Sequence, residues 1–250
     1  MTDVLISGAG VAGSTLAYWL ARSGFRVTVT ERSPGLRSSG NPVDVRGPAL
    51  PVAREMGIMP RLREVATHTT AMRLVDAAGR RVTTVAMPAA GGDEVEVPRA
   101  DLAAVLNEHV RDEAEFLFDD TVAELRTDPH GVDVTFDRSA PRRFDLVIGA
   151  DGLHSTVRRL AFGPEREFVR PTGLLVATTP LGRPVEHRHD VLIQNTPGRL
   201  VSVHPGRDEP IVAFIFRSRI GDIDHRDTDL HKRIVTAAYA DLGWQVPQLL

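Results

Sequence analysis

The sequence predicts an α/β fold, with a parallel sheet in its first domain and a second domain built on a mostly antiparallel sheet. Three observations carry this. VLISGAGVAG, at the start of the chain, runs from an apolar strand through three glycines towards a helix. LVIGADGLHSTVRR, from Leu146 to Arg159, repeats strand, glycine turn and helix in altered form. After Thr172 four β-rich runs, GLLVATTPL, VLIQNT, LVSVHP and PIVAFIFRS, follow one another across Pro and Gly turns. No helix lies between them to make the crossover that parallel pairing requires. The expected domains are residues 1–171 and 172–250.

Taken in order, Val4 to Ser7 reads as a strand, Ser14 to Ser23 as a helix and the β-branched run Arg26 to Thr30 as a second strand, a βαβ unit. Ser38 to Arg46 is rich in Gly, Ser and Pro and reads as a loop, followed by a helix over Leu50 to Met56. Thr69 to Val75 and Val82 to Met87, joined by AAGR, read as a hairpin within the first domain. The stripe Leu102, Leu106, Val110 marks a helix from Arg99 to Asp112. Glu115 to Phe118, Val122 to Arg126 and Val132 to Phe136 are short strands, and the apolar run Phe144 to Ala150 is the kind expected of a strand buried on both faces. An amphipathic helix near Leu230 to Leu242 closes the reading.

Composition sets limits on function. The 250 residues are 42% hydrophobic and 25% charged, with a formal net charge of -3, values of a globular chain and a poor match to a nucleic-acid binder. There is no cysteine, which removes disulfides, a thiolate nucleophile and thiolate metal ligands. The apolar N-terminal stretch is broken by glycines and has no basic leader, so neither a signal peptide nor a membrane span is expected, and a cytoplasmic location is. The nine histidines suggest no metal site: His187 and His189 share a strand face, but Glu186 and Asp190 would stand on the other. There is no GxSxG elbow, and Ser155 has no identifiable His partner.

The first glycine turn carries the strongest chemical signal. Gly8, Ala9, Gly10, Val11, Ala12 and Gly13 form GxGxxG directly between a strand and a helix. Gly8 permits the tight turn, Gly10 lets a pyrophosphate approach the backbone and Gly13 lets helix pack on strand. Glu31 ends the second strand, where a carboxylate meets the hydroxyls of an adenosine ribose; it argues against a 2′-phosphate there, an argument that the neighbouring Arg32 weakens. These residues point to a dinucleotide without choosing between NAD and FAD. The loop, hairpin and meander before the next long buried strand favour an FAD-binding Rossmann-like domain of the glutathione-reductase type.

On these residues the chain resembles the FAD-dependent aromatic-ring monooxygenases, the family of para-hydroxybenzoate hydroxylase and the tetracycline-inactivating flavin monooxygenase. GAGVAG with Glu31 is similar to the family's ADP-binding element, SSGNPVDVRG at 38–47 to the loop that passes the flavin, and VPRADLAAVL to a segment whose arginine, here Arg99, is set against the cofactor. GADGLHSTVR at 149–158 resembles the family's Asp-Gly motif and is the most specific of the four. The resemblance implies that Asp44 and Arg46 lie near the isoalloxazine ring, with Arg46 the catalytic candidate, stabilising charge on reduced flavin or orienting a substrate oxygen. Asp151 and Gly152 would cap and open the second turn, and Arg158 would return to hold Asp151 or a phosphate. The activity implied is hydroxylation of an aromatic or polyketide-like substrate through a flavin C4a-hydroperoxide, with bound FAD, NADPH or NADH as co-substrate and O₂, and no nucleic acid or membrane partner. The strand-rich segment after Thr172 resembles the sheet that roofs the family's substrate cavity. Rival readings are a flavin reductase or dehydrogenase of isoprenoid lipids and a non-catalytic FAD-binding or structural protein. A further family motif, Gly-Asp followed by Ala-Ala-His and a proline, has no counterpart here: Gly221 and Asp222 stand in a polar stretch without a preceding apolar strand. The expectation is a C-terminally incomplete chain that binds FAD weakly unless another polypeptide or a homo-oligomer completes the site.

Overall fold

The fold is described from a computed structural model, which describes residues 1–35, 42–87, 94–206, 209–218, 220 and 227–250. In chain order the elements are β1 (Asp3–Ser7), α1 (Val11–Arg22), β2 (Arg26–Glu31), β3 (Pro42–Val45), α2 (Ala49–Glu55), α3 (Met59–Glu64), β4 (Ala71–Val75), β5 (Arg81–Ala86), β6 (Val95–Pro98) and α4 (Arg99–Val110). They continue with β7 (Glu115–Phe118), β8 (Val122–Asp128), β9 (Gly131–Phe136), β10 (Arg142–Phe144), β11 (Leu146–Gly149) and α5 (Thr156–Ala161), then a 3₁₀ turn, Glu165–Glu167. Last come β12 (Leu174–Pro180), β13 (Asp190–Thr196), β14 (Arg199–His204), β15 (Ile211–Arg217), α6 (Thr228–Tyr239) and α7 (Val246–Leu249).

Two compact units emerge. The first comprises Met1–Ser38, Ala53–Leu62 and Arg99–Arg170, the second Ser39–Val52, Arg63–Pro98 and Pro171–Leu250. Residues 39–52 and 63–98, placed by sequence in the first domain, therefore cluster with the second unit.

In the first unit β11, β1, β2 and β7 form a parallel sheet in that order. Val4, Leu5 and Ile6 are wholly buried, as an apolar central strand covered on both faces must be. On one side α1 packs with α4, the Tyr18 and His109 rings lying 5.0 Å apart. Leu5 also belongs to a cluster with Val122, Val134, Phe136 and Phe144 of the antiparallel meander β8–β10 and Val157 of α5. The run Phe144 to Ala150 is not one strand buried on both faces. Asp145 interrupts it: its N–H donates to the Asp3 carbonyl at 2.9 Å and its carboxylate accepts from the Asp3 N–H at 2.7 Å, so the chain passes from the meander to the parallel sheet at that residue. β11 is then an edge strand, and Leu146 is 47% exposed.

In the second unit the order is β12-β15-β14-β13-β4-β5. The four strands after Thr172 pair antiparallel, as the turn-separated runs predict. The β4–β5 hairpin joins them through a parallel pairing of β4 with β13, Asp190 opposite Ala71. The loop expected over 38–46 contains β3, paired antiparallel with β6; Ser38 to Asn41 lie outside the described residues. Val201, Val203, Val212, Phe214 and Phe216 meet Tyr239 and Val246, with Ile234, Val235 and Ala238 of α6 against them. The Tyr239 hydroxyl lies in this core, 2.7 Å from the Leu200 carbonyl and 2.9 Å from that of Ile215, so its single hydrogen has two alternative acceptors. Among the described residues no helix is long and apolar enough to cross a membrane.

Candidate dinucleotide site

Three strand ends lie abreast in the first unit. Ser7 pairs with Gly149 of β11 on one side and Thr30 of β2 on the other, so Gly8, Ala150 and Glu31 follow at the same level. The turns are sewn together there: Gly8 N–H donates to the Thr30 carbonyl at 2.7 Å and Ala150 N–H to the Ser7 carbonyl at 2.8 Å. Gly8 has φ +106, and a Cβ on it would stand 2.6 Å from the Ala150 carbonyl oxygen, so the first turn closes directly on the chain entering the second. A Cβ on Gly13 would stand 1.8 Å from the Gly8 carbonyl oxygen, the close helix-on-strand approach the motif predicts. Gly10 is different, because a Cβ there meets nothing within 4 Å.

The electrostatics of the turn favour an anion. Gly10 is the N-cap of α1; no side chain caps this helix, and its first turn, Val11, Ala12 and Gly13, carries no acid. Its N-terminal N–H groups thus have no capping side chain, and no acid of the first turn answers the helix dipole. Glu31 turns its carboxylate to the same place, accepting from Ala9 N–H at 3.1 Å and Ser33 N–H at 3.0 Å. Arg32 beside it is exposed.

Asp120, which the sequence reading passes over, fixes the end of β2. Its N–H donates to the Glu31 carbonyl at 3.1 Å, and its carbonyl accepts from the Thr30 hydroxyl at 2.8 Å. Its buried carboxylate accepts from the N–H groups of Thr121, Arg138 and Ser139 at 2.9, 3.0 and 2.9 Å. Burial pushes this acid up, but the hydrogen bonds from Ser139, Arg138 and Thr121 outweigh it and hold the pKa below the ordinary value. The only sequence signal for it is a paired acid, Asp119-Asp120, between two short strands; Asp119 has φ +58.

The second turn is built from side chains. Gly152 has φ +81, with open space where a Cβ would be. The Asp151 carboxylate accepts from the Ser155 hydroxyl and from the N–H groups of Thr156 and Val157 at 2.7 and 3.1 Å. Ser155 caps α5 by accepting from Arg158 N–H at 3.0 Å. Asp151 therefore acts as the cap predicted for it, and it occupies the donors that start α5. The Arg158 guanidinium does not return to Asp151, whose carboxylate already takes three donors of the turn: it donates to the Leu153 carbonyl at 2.6 Å and pairs with Glu165 at 3.2 Å. His154 Nδ1 shares Glu165, at 3.0 and 3.1 Å from its two oxygens.

Arg99 begins α4, exposed and without an ion pair among the described residues. Asp44 and Arg46 belong to the second unit, where they pair loosely at 3.7 Å, both exposed. In that unit a cavity of about 840 Å³ is lined by loops that include His68, Arg183, Arg188, His189 and Glu209. His189 Nδ1 lies 3.1 Å from the His68 carbonyl, and among the described residues no three His, Cys, Asp or Glu side chains gather as metal ligands. His204 shares a hydrogen bond of 2.9 Å with Ser202, and burial lowers its pKa.

Two glycine turns at the ends of parallel strands, with an acid closing the neighbouring strand, define a dinucleotide-binding fold. The FAD binding domain family matches residues 1–243. A Mycobacterium tuberculosis protein, Rv1260, is 39% identical over the whole chain, which covers 69% of it. A flavin-dependent monooxygenase of Legionella longbeachae is 31% identical over 99% of the chain and 64% of its own length. Tetracycline destructase Tet(55) superposes with a TM-score of 0.87 at 30% identity, over 100% of this chain and 65% of that one. The chain thus spans about two thirds of the length of the proteins it matches, and it belongs to the FAD-binding family of the para-hydroxybenzoate hydroxylase-like and tetracycline-destructase-like monooxygenases.

Proposed function

We propose that the protein is an FAD-dependent, NAD(P)H-driven monooxygenase that hydroxylates an aromatic or polyketide-like small molecule. The observation that carries this is the uncapped N-terminus of α1 beside an open Gly10, with the Glu31 carboxylate at the same turn. These residues fit the cofactor: the N–H groups of the first turn of α1 would hold the pyrophosphate and Glu31 the ribose hydroxyls. Bound flavin supplies the redox chemistry, accepting reducing equivalents from the nicotinamide and activating O₂.

The chain's part is binding, orientation and exclusion of water. Arg99, a cation at a helix N-terminus without an ion pair among the described residues, would be answered by an anionic group of the cofactor. Arg46, held only loosely by Asp44, would place positive charge where negative charge develops on the reduced ring or on a substrate oxygen. Substrate choice would rest with side chains of the β12–β15 sheet.

The test is a flavin titration of the purified protein, followed by NADPH and NADH oxidation with ¹⁸O₂ and an aromatic substrate panel. Bound FAD and ¹⁸O in the product are expected. Glu31→Ala should weaken FAD binding by about 1–3 kcal/mol, the range for a hydrogen bond to a charged group. A protein that binds no FAD, or that consumes NAD(P)H in the presence of every substrate without labelling any product, would overturn the proposal.

A further inference from the structure

We infer that Glu165 is a positioning residue for the second glycine turn, acting through Arg158; this rests on the reading that the turn flanks the cofactor. Residues 151–155 leave the strand with Gly152 in the left-handed region and Leu153 63% exposed, so apolar burial does little to fix Leu153. Polar contacts hold the turn at both ends. Asp151 secures the side facing α5. The other side depends on the Leu153 carbonyl, which receives the Arg158 guanidinium at 2.6 Å.

That guanidinium is itself incompletely anchored. Its Nε is buried without a hydrogen-bond partner among the described residues. Glu165 is the only carboxylate with which it forms an ion pair among the described residues, and the Phe168 ring lies below it, 5.9 Å from the guanidinium carbon to the centroid. Glu165 also ties down His154, the residue between Leu153 and the Ser155 cap. One carboxylate from the 3₁₀ turn thus holds both a residue of the glycine turn and the arginine that braces its carbonyl. Removing it leaves a partly buried cation with no ion-pair partner among the described residues, which moves towards water and releases Leu153.

The experiment is a double-mutant cycle read by FAD affinity and by amide hydrogen exchange. Glu165→Ala should raise the FAD Kd about tenfold in the wild-type background and only about threefold in Arg158→Ala, where its direct hold on His154 is all that is left to lose, because contacts that act through one another are non-additive. Glu165→Gln, which keeps the volume and one acceptor but loses the charge, guards against a folding defect and should show the same coupling at smaller size. Exchange at the Leu153 to Val157 amides should quicken about tenfold in Glu165→Ala, as expected when a local opening becomes easier. Equal effects of Glu165→Ala with and without Arg158, or an unchanged Kd, would overturn the inference. If the wild-type protein bound no FAD, the cofactor reading would fall, and unchanged exchange at these amides would then refute the bracing role on its own.

Discussion

A methyl group added at Gly13 would stand 1.8 Å from the Gly8 carbonyl oxygen, whereas one added at Gly10 would meet nothing within 4 Å. The two glycines therefore separate folding from binding. Gly13→Ala must push α1 off β1 and should destabilise the protein by about 1–3 kcal/mol, the usual cost of overpacking, measured by denaturant unfolding. Gly10 has φ -74, which alanine adopts freely, so Gly10→Ala should change stability by less than about 0.5 kcal/mol. The same variant should raise the FAD Kd about tenfold, some 1.4 kcal/mol, by filling the space a pyrophosphate would use. This much was legible from GAGVAG because each glycine answers a demand set within a few residues of itself. The partner of Arg158 was not legible: Glu165 reaches it only because a 3₁₀ turn brings the chain back, and no periodicity announces such a turn.

At the scale of elements, the end of β2 is set by a turn some 90 residues away in sequence, where Asp120 grips Thr30 and Glu31. Sequence places Glu31 on its strand but is silent about that grip, because Asp120 makes it with its own N–H and carbonyl, which almost every residue has. The folded-state pKa of Asp120 lies below its unfolded value, so its contribution to stability is complete above about pH 4 and is lost as the pH falls through the folded value. Asp120→Asn should cost about 1–3 kcal/mol at pH 7 and flatten the acid side of the stability profile; an unchanged acid limb would refute the assignment. In the second unit, burial raises the Tyr239 pKa to about 12. The unfolded phenol ionises near pH 10, so stability attributable to this group disappears between about pH 10 and 12. Tyr239→Phe should cost about 1 kcal/mol at neutral pH and remove that alkaline component, leaving FAD affinity unchanged.

For the whole molecule, the α/β class and the two kinds of sheet follow from local texture: continuous apolar runs with glycine turns in one part, turn-separated β-branched runs in the other. The allegiance of the β4–β5 hairpin does not. Its sequence reads correctly as a hairpin, but its sheet is decided by the parallel pairing of Ala71 to Val75 with Asp190 to Gln194. That contact spans more than a hundred residues and leaves no local mark. The same limit explains β11, whose apolar run suggests a buried strand while its place at the sheet edge leaves Leu146 in water.

The division into units has a consequence for how the chain is made. It passes from one unit to the other at 38/39, 52/53, 62/63, 98/99 and 170/171. A ribosome therefore delivers the two bodies interleaved, and neither can finish as its own first residues emerge. The parallel sheet has β1 and β2 early but must wait for β11, and β4 and β5 must remain without β13 until residues beyond 190 are released. During that interval Val82 and Val85 of β5, exposed even in the finished fold, have only a lone hairpin around them. Topology of this kind slows folding and lengthens the time nascent strands spend unpaired, so the demand for chaperone protection should peak while residues 87–190 are being synthesised.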